Sequence, residues 1–346
     1  MKFLRSILYP VAILYGALVA LRNLLYDKGF LKSTRFEIPV IVVGNLSVGG
    51  TGKSPQIEYL IRLLQDTYKI AVLSRGYKRE SSGFIIADNT TSVKEIGDEP
   101  MQFFKKFKKV IVAVDADRVN GINNLRSLKN KPDIILLDDA FQHRKVAAGL
   151  NILLTPYTHL YVDDTMLPTG DLREQITGAK RAQIIVVTKC PDTLTENEQI
   201  HIENRLRPRA NQTVFFSKIR YDEAVYGHSV LKVNDLSSYN ILLVTGIANT
   251  QPLCDFLDSK QLRYQHLKYA DHHAFTETEL KTVFETYERI SSDKKLLLTT
   301  EKDYVRTFDS SQENVYYLPI ETAFITHQDN FNTLINNYVE QGSRNN

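Results

Sequence analysis

Short, almost wholly apolar runs recur along the chain: Val40 to Val43, Ile70 to Leu73, Val110 to Val114, Ile134 to Leu137, Ile152 to Leu154, Ile184 to Val187 and Val214 to Phe216. None alternates with polar residues as a half-solvated strand would. The seven therefore predict strands buried on both faces of a mostly parallel sheet. The stretches between them are long enough for crossover helices, and Gln56 to Gln65 (QIEYLIRLLQ) has the helical period. After Tyr221 the pattern restarts with runs at Ile241 to Val244, Leu296 to Thr299 and Val315 to Leu318, alternating with amphipathic stretches such as Thr278 to Ile290. This predicts a second, smaller α/β lobe, with the polar stretch Arg220 to Ser238 as linker and the tail from Glu340 (EQGSRNN) frayed.

The start of the chain fits neither pattern. Sixteen uncharged residues, SILYPVAILYGALVAL, lie between Arg5 and Arg22, with tyrosines at 9, 15 and 26. That is short of the roughly 20 residues of a spanning helix. A signal peptide, a core helix and a helix lying in a membrane interface all remain open. The flanking cations and aromatic rings favour the interface, and Pro10 should kink or begin the helix. The expected division is thus a membrane-associated segment over 1–36, a nucleotide-binding lobe over 37–221 and a smaller lobe over 222–340.

At 346 residues, 43% hydrophobic and 24% charged, the composition is that of an ordinary globular protein. Two cysteines without CxxC spacing exclude a disulfide scaffold and a cysteine metal site, and fit a reducing compartment. The net charge of +3 is too small to imply nucleic acid, but it is unevenly placed. Residues 1–36 carry six bases and one acid (+5), leaving −2 on the remaining 310.

The strongest local signal is IPVIVVGNLSVGGTGKSPQIEYLIRLL, a buried strand, a glycine-rich turn and an amphipathic helix opened by Lys53 and Ser54. Small residues let successive N–H groups of Ser47, Val48, Gly49, Gly50, Thr51 and Gly52 face phosphate oxygens, and the helix N-terminus adds positive potential. Lys53 can reach the β- and γ-phosphates of ATP, and the Ser54 hydroxyl can ligate Mg²⁺. The strict P-loop pattern fails only at its first glycine, here Ser47. The run Ile134 to Asp139 (IILLDD) ends a strand in two acids. Strands of an open α/β sheet deliver ligand groups at their carboxyl ends, so Asp138 and Asp139 should emerge beside the loop and its Mg²⁺.

A transfer to an alcohol also needs a base. Candidates lie in IGDEP, with Asp98 and Glu99 on a turn, and in Asp271-His272-His273; capping a helix or decorating a surface loop are the plainer readings. Arg75, Arg118 and Arg173 follow strands or turns and could neutralise phosphate, or simply form surface ion pairs. Phe103, Phe104 and Phe107 share one helical face and read as core. A GTPase or metallochaperone-type protein, with Thr188-Lys189 reading guanine, is a second interpretation, although Asp192 lies three positions after Lys189 instead of two. A membrane-attached ATP-binding regulator is a third.

Taken together, GNLSVGGTGKSP (44–55), LSRGYKR (73–79), GDEPMQF (97–103), DADR (115–118), LLDDAFQHRKV (136–146), LPTGDLRE (167–174), TGIANTQPL (245–253), ADHHAFTETEL (270–280) and TTEKDYVR (299–306) resemble the tetraacyldisaccharide 4′-kinase family of Gram-negative bacteria. The resemblance implies a P-loop NTPase-like lobe plus a smaller α/β/α lobe, with an N-terminal helix at the cytoplasmic face of the inner membrane. It implies phosphorylation by ATP, with Mg²⁺, of the 4′-hydroxyl of an acylated glucosamine disaccharide 1-phosphate. Membrane lipids would be a partner and nucleic acid would not. It further implies Asp98 as base with His272 as its partner, and Gln142, His143 and Arg173 lining the site. On this reading lobe closure would bring His272 to Asp98. The chain departs from the family's usual residues at Ser54, at Ala140 and at Ala148-Gly149.

Overall fold

The structure is a computed structural model and describes residues 7–308 and 312–344. Lys2 and Arg5 of the basic foot, and the last two residues of the tail, lie outside the described residues. The chain forms two compact units, one of Met1–Ile96, Phe103–Ile219 and Thr322–Asn346, the other of Gly97–Gln102 and Arg220–Glu321.

In the first unit, α1 (Tyr9–Asp27) precedes β1 (Val40–Asn45), α2 (Lys53–Leu64), β2 (Ile70–Ser74), β3 (Ile85–Ile86) and the single turn α3 (Val93–Ile96). After α4 (Asp98–Lys106) come β4 (Ile111–Val114), α5 (Arg118–Arg126), β5 (Ile134–Asp138), β6 (Leu150–Pro156), β7 (Ile184–Thr188), α6 (Glu196–Leu206) and β8 (Thr213–Tyr221). The strand order is β8-β7-β6-β1-β5-β2-β4-β3, with β3 the antiparallel edge against an otherwise parallel run. Strands β1, β2, β5 and β7 are buried at every position, as strands without polar alternation must be when both faces are covered. All seven runs of the sequence pattern fall on strands of this sheet.

Helix α1 starts with Pro10 in its first turn, where the missing N–H costs nothing. It is the one described helix long and apolar enough to cross a bilayer, and only 11% of its apolar window is buried. Its exposed row includes Leu14, Leu18 and Leu21, while Ala12 and Gly16 face inward.

The second unit holds β9 (Ala224–Tyr226), β10 (Val230–Lys232), β11 (Asn240–Thr245), α7 (Gln251–Ser259), β12 (Arg263–Lys268), α8 (Glu277–Glu288), β13 (Lys295–Thr300), α9 (Glu301–Thr307) and β14 (Val315–Leu318). Its sheet runs β10-β9-β14-β13-β11-β12, with the last four parallel. The stretch expected as a linker is not bare chain. It carries the β9–β10 hairpin and a short 3₁₀ turn, and Val225 and Leu236 are fully buried. The chain returns to the first unit along β15 (Ile320–Phe324) and α10 (Gln328–Arg344). The tail expected to fray past Glu340 instead stays helical to Arg344. Phe331, Ile335 and Val339 bury one stripe of α10, and the Tyr338 hydroxyl donates to Val40 O at 3.0 Å.

Candidate active site

In the first unit the carboxyl end of β1 leads into the glycine-rich loop, and β5, its parallel neighbour, pairs Val43 with Asp138. That register delivers Asp138 and Asp139 beside the loop, as the carboxyl ends of an open α/β sheet require. The loop needs glycine where φ is positive, at Gly49 (+104°) and Gly52 (+89°). Ser47 stands at neither: it is buried, forms a β-bridge to Leu172, and so replaces a glycine without strain. Val48 N–H donates to Asp171 O (2.8 Å), and the Thr188 hydroxyl donates to Thr51 O (2.8 Å). These bonds fix the loop from outside.

Asp139 is the electrostatic focus. Arg173 grips it with two bonds, Nη1 to Oδ2 at 3.1 Å and Nη2 to Oδ1 at 2.7 Å, and also reaches Asn45. Lys53 Nζ, at the first position of α2, lies 3.9 Å from Asp139 Oδ1. Asp138 and Ser54 are both buried, and the Ser74 hydroxyl donates to Asp138 Oδ2 at 3.2 Å. Ser54, Asp138 and Asp139 offer only oxygen, the donor set a hard divalent cation takes.

Gln142 donates to Asn45 O (2.7 Å) and to Glu174 Oε1 (3.2 Å). His143 is half-buried, and burial with the nearby Arg118 charge pushes its imidazole down to about 4, so it is neutral at pH 7. Arg118 is not the surface ion pair that the plain reading offered. It is 2% exposed, its guanidinium donates to the carbonyls of Asp115 and Asp138, and burial lowers it to about 10. Arg75 is exposed just past β2.

Sequence reasoning assigned Lys189 only to the guanine alternative. Its ammonium lies 3.7 Å from where a Cβ on Gly50 would sit, a second cation at the loop. Asp192, which that alternative needs, pairs with Lys218 instead.

In the second unit, to which the first turn of α4 belongs, Asp98 Oδ2 accepts from Arg306 Nε (2.8 Å) and faces Arg306 Nη2 at 2.6 Å. His272 Nδ1 lies 3.7 Å from the same oxygen and 3.3 Å from Arg306 Nη2. His272 has φ +55° and donates its N–H to Gly246 O, a bend that aims the ring at Asp98. His273 turns away: its Nε2 meets Glu279 Oε1 at 3.0 Å, and its ring packs on Tyr269 and Phe275. Glu99 pairs with Lys302 at 2.8 Å. The Asp98–His272 pair thus lies inside one unit. Arg306 was missed, although TTEKDYVR puts Lys302 and Arg306 one helical turn apart on α9, a spacing that could have drawn attention to both.

The family profile of tetraacyldisaccharide-1-P 4′-kinases matches residues 4–340. A tetraacyldisaccharide 4′-kinase of Flavobacterium johnsoniae is 51% identical over 99% of both chains, and one of Bacteroides thetaiotaomicron is 43% identical over 98% of this chain and 94% of its own. A crystal structure of LpxK from Aquifex aeolicus, an "apo" form in complex with ATP, superposes with a TM-score of 0.78 at 30% identity, covering 97% of this chain and 99% of that one. With the match running nearly end to end in sequence and in fold, the chain belongs to the tetraacyldisaccharide-1-P 4′-kinase family.

Proposed function

We propose that this protein transfers the γ-phosphoryl group of ATP to the 4′-hydroxyl of a tetraacyl glucosamine disaccharide 1-phosphate, a late step of lipid A biosynthesis. Its family membership supports the reaction, and one observation carries the chemistry: Lys53 and Arg173 meet at Asp139 beside the glycine-rich loop.

We assign the roles as follows. Residues 47–54 act as a P-loop whose backbone N–H groups cradle the phosphates, with Lys53 on the β- and γ-oxygens. Ser54, Asp138 and Asp139 hold Mg²⁺ directly or through its waters, and the ion when bound neutralises phosphate charge. Asp98 accepts the proton of the acceptor hydroxyl as that oxygen bonds to the γ-phosphorus and ADP leaves. His272 and Arg306 orient the Asp98 carboxylate. Gln142 and the neutral His143 line the site; Arg75 and Glu99 stand at its margins, and Arg118 braces it from within. Helix α1 seats its leucine row in the cytoplasmic face of the inner membrane, with the cationic foot on anionic headgroups.

Transfer of label from [γ-³²P]ATP to acylated disaccharide 1-phosphate in detergent tests the reading. Labelled lipid that depends on Mg²⁺ and on Asp98 supports it. No labelled lipid, with GTP bound in preference to ATP, sinks it.

A further inference from the structure

Between β6 and Leu172 the chain makes a loop on which neither the nucleotide cluster nor the Asp98 cluster draws for chemistry. Here His159, Asp164 and Asp171 each offer one ligand atom, and the three atoms lie within 4.8 Å of one another. The Asp164 side chain is only 5% exposed. Its Oδ1 accepts from the backbone N–H groups of Thr165 (2.7 Å) and Asp171 (3.1 Å), which fixes the carboxylate plane.

Its Oδ2 is buried and receives no hydrogen bond, although His159 Nε2 is 3.2 Å away. Two such atoms, close but not aligned along an N–H, can turn their lone pairs to a common point. Neighbouring ligands of a tetrahedral ion with bonds of about 2.0–2.1 Å stand roughly 3.3 Å apart. Gly170 shows how closely the loop wraps this carboxylate: a Cβ there would fall 2.4 Å from Asp164 Oδ1 and 2.3 Å from Thr165 O. His159 is half-exposed, so an ion could enter from solvent.

The geometry points to a divalent-metal site formed by His159 Nε2, Asp164 Oδ2 and the Asp171 carboxylate, with water as the fourth ligand. Zinc is the ion that one imidazole and two carboxylates favour; magnesium prefers oxygen alone. Asp171 also holds Val48 through its carbonyl, so the bound ion stiffens the outer rim of the glycine-rich loop without being part of it.

The test uses the full chain in detergent, stripped with chelator, without nucleotide, and titrated with Zn²⁺ against a chelating dye. Wild type and Asp138→Asn should each take up one tight equivalent. His159→Ala, and Asp164→Asn, which keeps the Oδ1 acceptor, should bind at least about 100-fold more weakly. Zinc should raise the melting temperature of wild type and not that of His159→Ala. If His159→Ala binds as wild type does, or if Asp138→Asn loses the equivalent, the site is not here. Tighter binding of Mg²⁺ than of Zn²⁺ would overturn the choice of ion.

Discussion

Arg306→Ala removes a guanidinium that is 11% exposed and that supplies the two closest contacts to Asp98, at 2.6 and 2.8 Å. It also takes away the group that spaces His272 from the same carboxylate and anchors the His273 carbonyl. What remains for Asp98 is His272 at 3.7 Å, too long for a hydrogen bond as it stands. A positioned base contributes about 10²–10⁴ in rate, so Asp98→Ala should lower kcat about 1,000-fold. Arg306 acts through Asp98, so its loss is bounded by that figure; we expect about 100-fold, close to 2.7 kcal/mol of activation free energy. The double variant should be no slower than Asp98→Ala alone, because groups that act as a unit are not additive. The assay is single-turnover transfer of labelled phosphate, with ATP affinity measured separately. Arg306→Ala within about threefold of wild type, or a double variant slower by the product of the two single effects, would refute the assignment.

Asp98→Ala should leave ATP affinity nearly intact, since a base acts on the acceptor; a matching loss in nucleotide titration would move Asp98 to a metal role. Replacing Leu14, Leu18 and Leu21 by Asp changes one exposed face of α1 without touching its inward contacts. Each leucine buried in lipid contributes about 1.5–3 kcal/mol, so vesicle co-sedimentation should be lost while the fold, read by circular dichroism, persists. His143 is held near 4 against an ordinary 6.5, so its contribution to stability is present above pH 6.5 and fades as pH falls through 4. His143→Gln should therefore lose about 1 kcal/mol less stability than wild type between pH 7 and pH 5 in urea melts, after discounting for its partial exposure. Gly44→Ala should cost about 1–3 kcal/mol in the same melts, because its Cβ would sit 2.7 Å from that of Phe141.

The sheet of the first unit was legible because its strands are apolar on both faces, a pattern that needs no tertiary knowledge. The loop and the two acids were legible for a related reason: adjacency of β1 and β5 follows from the parallel fold and puts both at one sheet edge. Strand β12, RYQHLK, was not found, since an edge strand with one solvated face alternates and the reading sought uniform runs. Arg306 reaches Asp98 across 208 positions of sequence, a separation no local spacing encodes. Arg118 looked like any basic residue after a strand. Its burial follows from the carbonyls at the ends of β4 and β5, which become its neighbours only once the chain has folded.

One feature of α1 reaches beyond anchoring. The Asn23 amide donates to the fully buried Glu174, Tyr15 donates to the Arg173 carbonyl, and Arg173 in turn grips Asp139. The helix whose outer face is built for lipid is therefore bonded on its inner face to the residues that set the nucleotide pocket. Bilayer composition then becomes a variable of catalysis: lipids that seat α1 well and lipids that pull it outward should give the same enzyme different affinities for ATP, before any acceptor has bound.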